Sequence, residues 1–101
     1  MYITFTGSKL STEESREVDQ FLAGFIPRFK RQRGVLAIFH VNRPDKGDDV
    51  TITVWESEEA TKAYRQSELF NEVMAFEKAH NLHITREGYP VVQGVSDKIG
   101  G

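Results

Sequence analysis

The stretch that decides the fold is residues 53–70, which read TVWESEEATKAYRQSELF. β-Branched residues lead into Trp55, and this pattern is typical of a strand. Ser57 and Ser67 each precede a glutamate and apolar residues at helical spacing, so each is expected to cap a helix. The segment therefore predicts a strand followed by two helices, and the rest of the chain is interpreted outward from it.

Before Trp55, the sequence predicts a strand, a long helix and a hairpin. Ser11 and Glu14 form a capping box that opens the helix, and Gly34 is expected to end it. Two runs rich in β-branched and aromatic residues then flank a polar turn, which indicates a hairpin. The elements predicted here are a strand over 2–6, a helix over 11–33, and strands over 35–42 and 50–55.

After residue 70, the apolar stripe continues through one helix and gives way to alternating apolar and polar residues, as in a strand. We expect residues 1–95 to form a single domain. The remaining predictions are a helix ending at His80, a strand over 82–86 interrupted by Gly88 and Pro90, a candidate edge strand over 91–95, and a flexible tail over 96–101.

The order strand, helix, strand, strand, helix, strand predicts an α+β, ferredoxin-like fold, with an antiparallel sheet and helices on one face. The second strand offers apolar side chains to both faces of that sheet. The helices cover one face, so we expect a second subunit to cover the other through an isologous contact between sheets. The predicted assembly is a homodimer.

Composition excludes several classes of protein. The chain has 101 residues, of which 39% are apolar and 28% charged, and its net charge of −2 gives no reason to expect nucleic acid or an anionic membrane as a partner. It has no cysteine, so disulfides, thiolate catalysis and cysteine metal sites are excluded. The first ten residues do not resemble a signal peptide, and we expect a cytoplasmic protein.

The segments 53–60 and 64–70, together with Gly34 before the second strand, resemble the antibiotic biosynthesis monooxygenase family. The resembling features are the strand that ends in Trp55, the acidic and small residues that open the next helix, and the Ser-Glu-x-Phe motif that opens the one after it. The resemblance covers most of the chain and implies a dimeric α/β barrel. The same architecture includes haem degraders, cofactor-free oxygenases, isomerases and proteins without known chemistry.

The nearest branch resembles the haem-degrading type, which has an Asn in its first strand and an iron-ligating His on a later helix. Here Thr6 or Thr4 takes the place of the Asn. Tyr64, nine residues after Trp55, stands where those proteins have Trp, and Met74 stands where they have the His. Haem is therefore retained only as an alternative cofactor, and no cofactor is predicted.

Two side chains are candidates for catalysis. His40 interrupts an apolar strand, and an imidazole can act as a base at neutral pH. The resemblance places Tyr64 at a pocket position, where a phenol can donate a hydrogen bond to a substrate. The residues expected to contact a substrate are Trp55, Thr6, Phe70 and Met74. No metal site is predicted, because His80 and His83 lack further ligands at a known spacing.

These residues favour a small apolar pocket for an aromatic molecule. The leading hypothesis is a monooxygenase-like homodimer that oxygenates a small aromatic or quinol substrate without a metal or a flavin. There the deprotonated substrate itself would supply electrons to O₂. The alternatives are a haem-binding or haem-degrading protein with altered ligands, and a non-catalytic dimer that binds a small ligand.

Overall fold

The structure, a computed structural model, describes residues 1–94. The elements are β1 (Tyr2–Lys9), α1 (Thr12–Phe29), β2 (Val35–Arg43), β3 (Asp48–Trp55), α2 (Glu58–Tyr64), α3 (Glu68–Ala79) and β4 (Thr85–Pro90). The strands form one antiparallel sheet in the order β2-β3-β1-β4, and the helices pack on one face of it. This confirms the predicted α+β, ferredoxin-like fold.

The predicted helix caps are present. The Ser11 hydroxyl accepts a hydrogen bond from the Glu14 amide, and the Glu14 carboxylate accepts one from the Ser11 amide, which completes the capping box. The side chains of Ser57 and Ser67 cap α2 and α3 in the same way, each accepting from an amide three residues on. Local sequence thus fixes where all three helices begin.

The predicted end of the first strand at residue 6 is wrong. β1 continues past Gly7 to Lys9, because β3 begins at Asp48 and provides partners for these residues. β2 likewise extends to Arg43, whose guanidinium pairs with the Asp48 carboxylate at 2.7 Å. The polar turn between β2 and β3 is therefore shorter than the sequence suggests.

α1 ends at Phe29, before the predicted end near Arg33. The next residues form a tighter turn, in which the Gln32 amide donates to the Phe29 carbonyl at 2.8 Å. Gly34 follows with a φ of +88°, a backbone conformation that favours glycine. It also lies against α2, because a Cβ at this position would be 2.4 Å from the Cβ of Ala60.

The prediction for the last strand is wrong in its bounds, since β4 begins after most of the predicted range of 82–86. Gly88 does not interrupt β4 but allows a close approach, because a Cβ there would be 2.6 Å from Cε2 of Tyr2. Pro90 ends the strand without loss of a sheet hydrogen bond, as an edge strand permits.

The C-terminal predictions are tested only in part. Residues 91–94 form no strand, so the candidate edge strand over 91–95 is wrong for its described part. Residue 95 and the predicted tail over 96–101 lie outside the described residues. Within residues 1–94, no helix combines the length and the apolar character needed to cross a bilayer.

The two faces of the sheet differ in a way that positions the site. Residues Thr51, Thr53 and Trp55 of β3 point toward the helices, and the alternate residues point to the open face. The open face is apolar and includes large side chains that are substantially exposed. These are Phe5 (38% exposed), Val41 (41%), Phe39 (50%) and Tyr89 (53%).

The buried core is an aromatic cluster under the C-terminal end of α1. Trp55 is 2% exposed and meets the ring of Phe29 edge to face, with 5.5 Å between the ring centroids. Phe29 and Phe25 stack at 5.5 Å, and Phe21 stacks on Phe76 of α3 at 4.2 Å. Aromatic contacts thus join α1 to the sheet and to α3.

Gly34 provides a test of this arrangement. Gly34→Ala should lower the free energy of unfolding by about 2 kcal/mol or more, because the new methyl group meets Ala60 and the backbone has a positive φ. Gly24→Ala is the matched control: it lies inside α1 with open space around a Cβ, and should raise stability by about 0.5–1 kcal/mol. Urea denaturation of both variants measures the difference, and equal effects would contradict the proposed contact.

Candidate functional site

A cavity of about 120 Å³ lies between the helices and the sheet. Its roof consists of aromatic and aliphatic side chains from α1 and α3. Its floor consists of alternate residues from three neighbouring strands, β1, β2 and β3. The roof includes Phe21, Leu22, Phe25, Phe29, Val73 and Phe76. The floor includes Thr4, Thr6, Ile38, Thr51 and Thr53. An apolar roof thus faces a floor of hydroxyl groups.

The structure brings most of the predicted site residues together. His40, Tyr64, Trp55, Thr6 and Phe70 all line this one cavity. Met74 lies on α3 and is partly buried, but it is not among the lining residues in the described part of the chain. The cavity therefore gathers both candidate catalytic side chains.

Tyr64 lies at the end of α2, inside a group of aromatic rings. Its ring meets Phe29 at 4.9 Å and Phe70 at 5.3 Å, both edge to face, and lies 5.5 Å from Trp55. Burial in this group raises the pKa of Tyr64 well above its ordinary value of 10.0. Its phenol is thus neutral at physiological pH and acts there as a hydrogen-bond donor, not as a base.

An ion pair lines the cavity near Tyr64. Arg86 of β4 pairs with Glu77 of α3, and its guanidinium lies 5.6 Å from the centre of the Phe70 ring. The nearby positive charge of Arg86 acts to lower the pKa of Tyr64, whereas Glu77 acts to raise it, and both effects are smaller than that of burial. The two charges largely offset each other at this end of the cavity.

The indole of Trp55 makes the hydrogen bond that its burial requires. Its Nε1–H donates to Oγ1 of Thr4 on β1 at 3.0 Å. Thr4 and Thr6 both line the cavity, but Thr4 is the hydroxyl already occupied by the indole. Thr4 and Thr6 were the two candidates for the position where the haem-degrading proteins have an Asn. Of these two, Thr6 is the one that is not bound to Trp55.

His40 on β2 lies at the other end of the cavity and contacts three polar side chains. Its Nδ1 lies 2.8 Å from Oγ1 of Thr51, the residue opposite it on β3. Its Nε2 lies 3.2 Å from Oδ2 of Asp49 and 3.5 Å from Oδ1 of Asp19 on α1. The ring is fixed on both sides, and its side chain is only 13% exposed.

Asp49 is the residue that sequence reasoning missed. It is 5% exposed on the covered face of the sheet, although it belongs to a run of polar residues that the pattern assigned to a turn. Its oxygens accept hydrogen bonds from Ser15 at 3.0 Å and Asn42 at 2.9 Å, besides the contact with His40. The alternation of β3, had it been extended backward from Thr51, would have placed Asp49 on the same face.

The ligand atoms of Asp19, His40 and Asp49 lie within 4.8 Å of one another, a spacing that could hold a metal ion. The other histidines lie apart from this group: the His80 Nδ1 lies 2.9 Å from the Phe76 carbonyl oxygen, and His83 lies outside the cavity lining. The group around His40 was not anticipated from the sequence.

The high pKa of Tyr64 predicts an effect of alkaline pH on stability. The folded chain holds the phenol proton more tightly than the unfolded chain, so stability is complete below pH 10 and declines as pH rises above it, by up to about 1.4 kcal/mol per pH unit. Urea denaturation between pH 9 and 11 should therefore show a smaller decline in Tyr64→Phe than in the wild type. Tyr89→Phe is the comparison: the exposed Tyr89 hydroxyl donates to Glu87, and this hydrogen bond, more than burial, raises its pKa, so its removal should change the decline less. An equal change in both variants would contradict the effect of burial.

Comparisons with known proteins agree with the fold. A search of curated protein sequences finds no match to the chain. A structure from Deinococcus radiodurans, described as a candidate antibiotic biosynthesis monooxygenase, has a TM-score of 0.84 at 14% identity and covers 94% of this chain and 96% of its own. Rv0793 from Mycobacterium tuberculosis has a TM-score of 0.80 at 13% identity, with 94% and 98% covered.

A further structure, described as an antibiotic biosynthesis monooxygenase, has a TM-score of 0.75 at 19% identity and covers 92% of this chain and all of its own. At such identities, these likenesses show the fold alone. The sequence model of one family, antibiotic biosynthesis monooxygenase, matches residues 1–75, which include the first three strands and both candidate catalytic residues. The chain belongs to the antibiotic biosynthesis monooxygenase family.

Proposed function

We propose that this protein is a homodimeric monooxygenase that oxygenates a small aromatic quinol without a metal or a flavin. The observation that carries the proposal is the single cavity in which a neutral phenol, Tyr64, and an imidazole held by a carboxylate, His40, both face an aromatic roof. A base and a hydrogen-bond donor in a water-poor space are what deprotonation and oxygenation of a phenolic ring require.

The size of the cavity favours a substrate with one ring. Its volume of about 120 Å³ is close to that of an apolar cavity of about 150 Å³ known to bind benzene in another protein. It is well below the roughly 300–1,000 Å³ of pockets that enclose drug-sized ligands. A monocyclic hydroquinone is therefore preferred over a fused polycyclic anthrone.

The placement of the polar groups favours oxygens on opposite sides of that ring. His40 pairs with Thr51, and Tyr64 packs on Trp55, four residues further along β3. Four residues of a strand span about 13 Å, so the two groups lie toward opposite ends of the cavity. A 1,4-diol could contact both at once, whereas the adjacent oxygens of a 1,2-diol could not.

The chemistry balances without an external reductant. A hydroquinone and O₂ give a hydroxyquinone and water: one oxygen atom enters the ring, the other leaves as water, and the ring supplies all four electrons. Loss of a phenolic proton to His40 makes the ring electron-rich enough to reduce O₂. Tyr64 would donate a hydrogen bond to the oxygen at the far side of the ring, which fixes its orientation.

Haem, the alternative cofactor, fits this cavity poorly. The volume of about 120 Å³ falls below that of pockets for ligands far smaller than a porphyrin. The His40 ring nitrogens already contact Thr51 and Asp49, and Met74 does not line the cavity. Neither His40 nor Met74 is therefore placed to ligate an iron atom there.

The proposed reaction predicts that the protein consumes O₂ with a monocyclic 1,4-hydroquinone and releases the hydroxyquinone. In an oxygen electrode, a Tyr64→Phe, His40→Ala double variant should lose this activity by at least about 10²-fold, because it lacks both the donor and the base. A 1,2-diol and an anthrone serve as comparison substrates.

The control is His83→Ala, which removes an exposed imidazole outside the cavity lining and should leave turnover unchanged. Uptake of O₂ that is equal in the wild type and in the double variant would eliminate the catalytic role of the cavity. Faster turnover of the anthrone than of the hydroquinone would refute the argument from volume.

The proposal of a homodimer is supported by the open face of the sheet. Phe39, Tyr89, Val41 and Phe5 are between 38% and 53% exposed there, and they form one apolar surface across neighbouring strands. Contiguous apolar surfaces of this kind are uncommon on monomers and mark interfaces. A second copy, related by a twofold axis, would cover this surface with its own.

Phe39→Asp should therefore convert a dimer into a monomer at micromolar concentration, because it places a charge within the apolar surface, at a side chain that is 50% exposed in one subunit. Val92→Asp is the control, since this residue is 93% exposed and lies outside the sheet, and it should remain dimeric. Sedimentation equilibrium gives the masses. A wild type that sediments as a monomer would contradict the proposed assembly.

A further inference from the structure

The Asp49 carboxylate is buried on the covered face of the sheet, where an unpaired charge would be strongly destabilising. Three side chains surround it: Ser15 and Asn42 donate to it, and His40 contacts its Oδ2 at 3.2 Å. A carboxylate accepts hydrogen bonds and donates none, so this environment matches an ionised group. The structure thus holds a hydrogen-bond acceptor at a fixed position next to Nε2 of His40.

This contact determines which nitrogen of His40 carries the proton. Because Asp49 can only accept, the neutral ring has its proton on Nε2. Nδ1 is then an acceptor, and it faces the hydroxyl of Thr51 at 2.8 Å. Nδ1 is therefore the basic nitrogen, and Nε2 is the protonated one.

Thr51 lines the cavity, and its Oγ1 is the atom that contacts the basic nitrogen. Its hydroxyl can donate to Nδ1 while one of its lone pairs accepts a hydrogen bond from a substrate hydroxyl. A substrate proton can then move to Oγ1 as the proton of Thr51 moves to Nδ1. The step leaves a phenolate in the cavity and an imidazolium at His40, and the total charge does not change.

Two carboxylates face the imidazolium that results. Asp49 is in contact with Nε2, and Oδ1 of Asp19 lies 3.5 Å from the same atom. The side chain of Asp19 is 48% exposed, so it connects this end of the site to solvent. The proton taken up at Nδ1 returns to the oxygen that leaves as water, because the overall reaction releases no proton.

We propose that Asp49 is a positioning residue, which holds His40 with its proton on Nε2, and that Thr51 relays the substrate proton to Nδ1. This inference rests on the proposed function and extends it to residues that do not themselves oxidise anything. Asp49 and Thr51 would act only through His40, so their effects should vanish when His40 is absent.

The first test is spectroscopic and needs no substrate. Long-range ¹H–¹⁵N correlation spectra of the wild type should show His40 protonated at Nε2 and unprotonated at Nδ1. Ser15, Asn42 and His40 all contact Oδ2 of Asp49, so Asp49→Asn would keep an oxygen beside Nε2, and the informative variant is Asp49→Leu, which has no acceptor. In Asp49→Leu the Nε2–H of His40 loses its partner, and the proton should move to Nδ1, where Oγ1 of Thr51 can accept its hydrogen bond.

The matched control is Asp48→Asn, which removes a neighbouring carboxylate that pairs with Arg43 instead of His40. It should leave the tautomer of His40 unchanged. A wild type protonated at Nδ1, or an Asp49→Leu spectrum identical to that of the wild type, would overturn the proposal. So would a shift of both ring nitrogens by equimolar Zn²⁺ in the wild type, which would assign Asp19, His40 and Asp49 to metal binding.

The second test uses turnover. Asp49→Leu should lower kcat with the hydroquinone by about 10²-fold or more, and the same substitution in a His40→Ala background should lower it no further. Additive losses would overturn the positioning role. If no hydroquinone is turned over by the wild type, the proposed function fails, and the spectra alone decide the role of Asp49.

Substitutions of Thr51 provide a separate test if Asp49→Leu does not fold, which circular dichroism would reveal. Thr51→Val has nearly the same shape without the hydroxyl, and should lose about 10²-fold in kcat while His40 stays protonated at Nε2. Thr51→Ser should restore most of the activity. Full activity of Thr51→Val would exclude the relay.

Discussion

The burial of Trp55 is the constraint on which the other parts of the structure depend. Its indole lies at the end of β3, where it meets α1 through Phe29, α2 through Tyr64 and β1 through Thr4. Loss of a buried tryptophan side chain typically costs about 3–5 kcal/mol, a large share of the stability of a domain this small. Since Tyr64 packs on this ring, the same contact that holds the layers together also fixes a candidate catalytic group.

The cavity follows from the unequal faces of the sheet. The face under the helices has threonines over much of its area, and their short side chains cannot fill the space below the large rings of α1 and α3. The apolar side chains of the same strands point to the other face, where within residues 1–94 no helix covers them. In an isolated domain whose sheet is covered on one face, the strands usually have apolar residues on the covered face and polar residues on the exposed face. Here the covered face is rich in threonine and the exposed face is apolar. This pattern therefore favours both a cavity on one side and a partner on the other.

Much of the fold could be predicted from local sequence, whereas the polar end of the site could not. Serine caps and the periodicity of apolar residues are properties of nearby residues, and they gave the helix starts and the order of the elements along the chain. The prediction that Gly88 interrupts the last strand was wrong, because the role of Gly88 depends on the Tyr2 ring, which lies on another strand. Tyr64 was found because a family motif marks it. Asp49 was missed because its role arises only when β2, β3 and α1 bring His40 and Ser15 beside it.

The environment of Asp49 itself argues for a role beyond stability. An apolar residue at this position would avoid the cost of burying a charge, and replacements of buried ionic groups by apolar ones are often neutral or stabilising. Here the fold instead provides Ser15 and Asn42 as donors, which hold the carboxylate in place. That arrangement orients one imidazole at the edge of a cavity whose other end carries a neutral phenol. Burial of Asp49 is costly, and the buried carboxylate orients a base beside a cavity lined by aromatic rings. A role in the chemistry of that cavity explains this better than packing does.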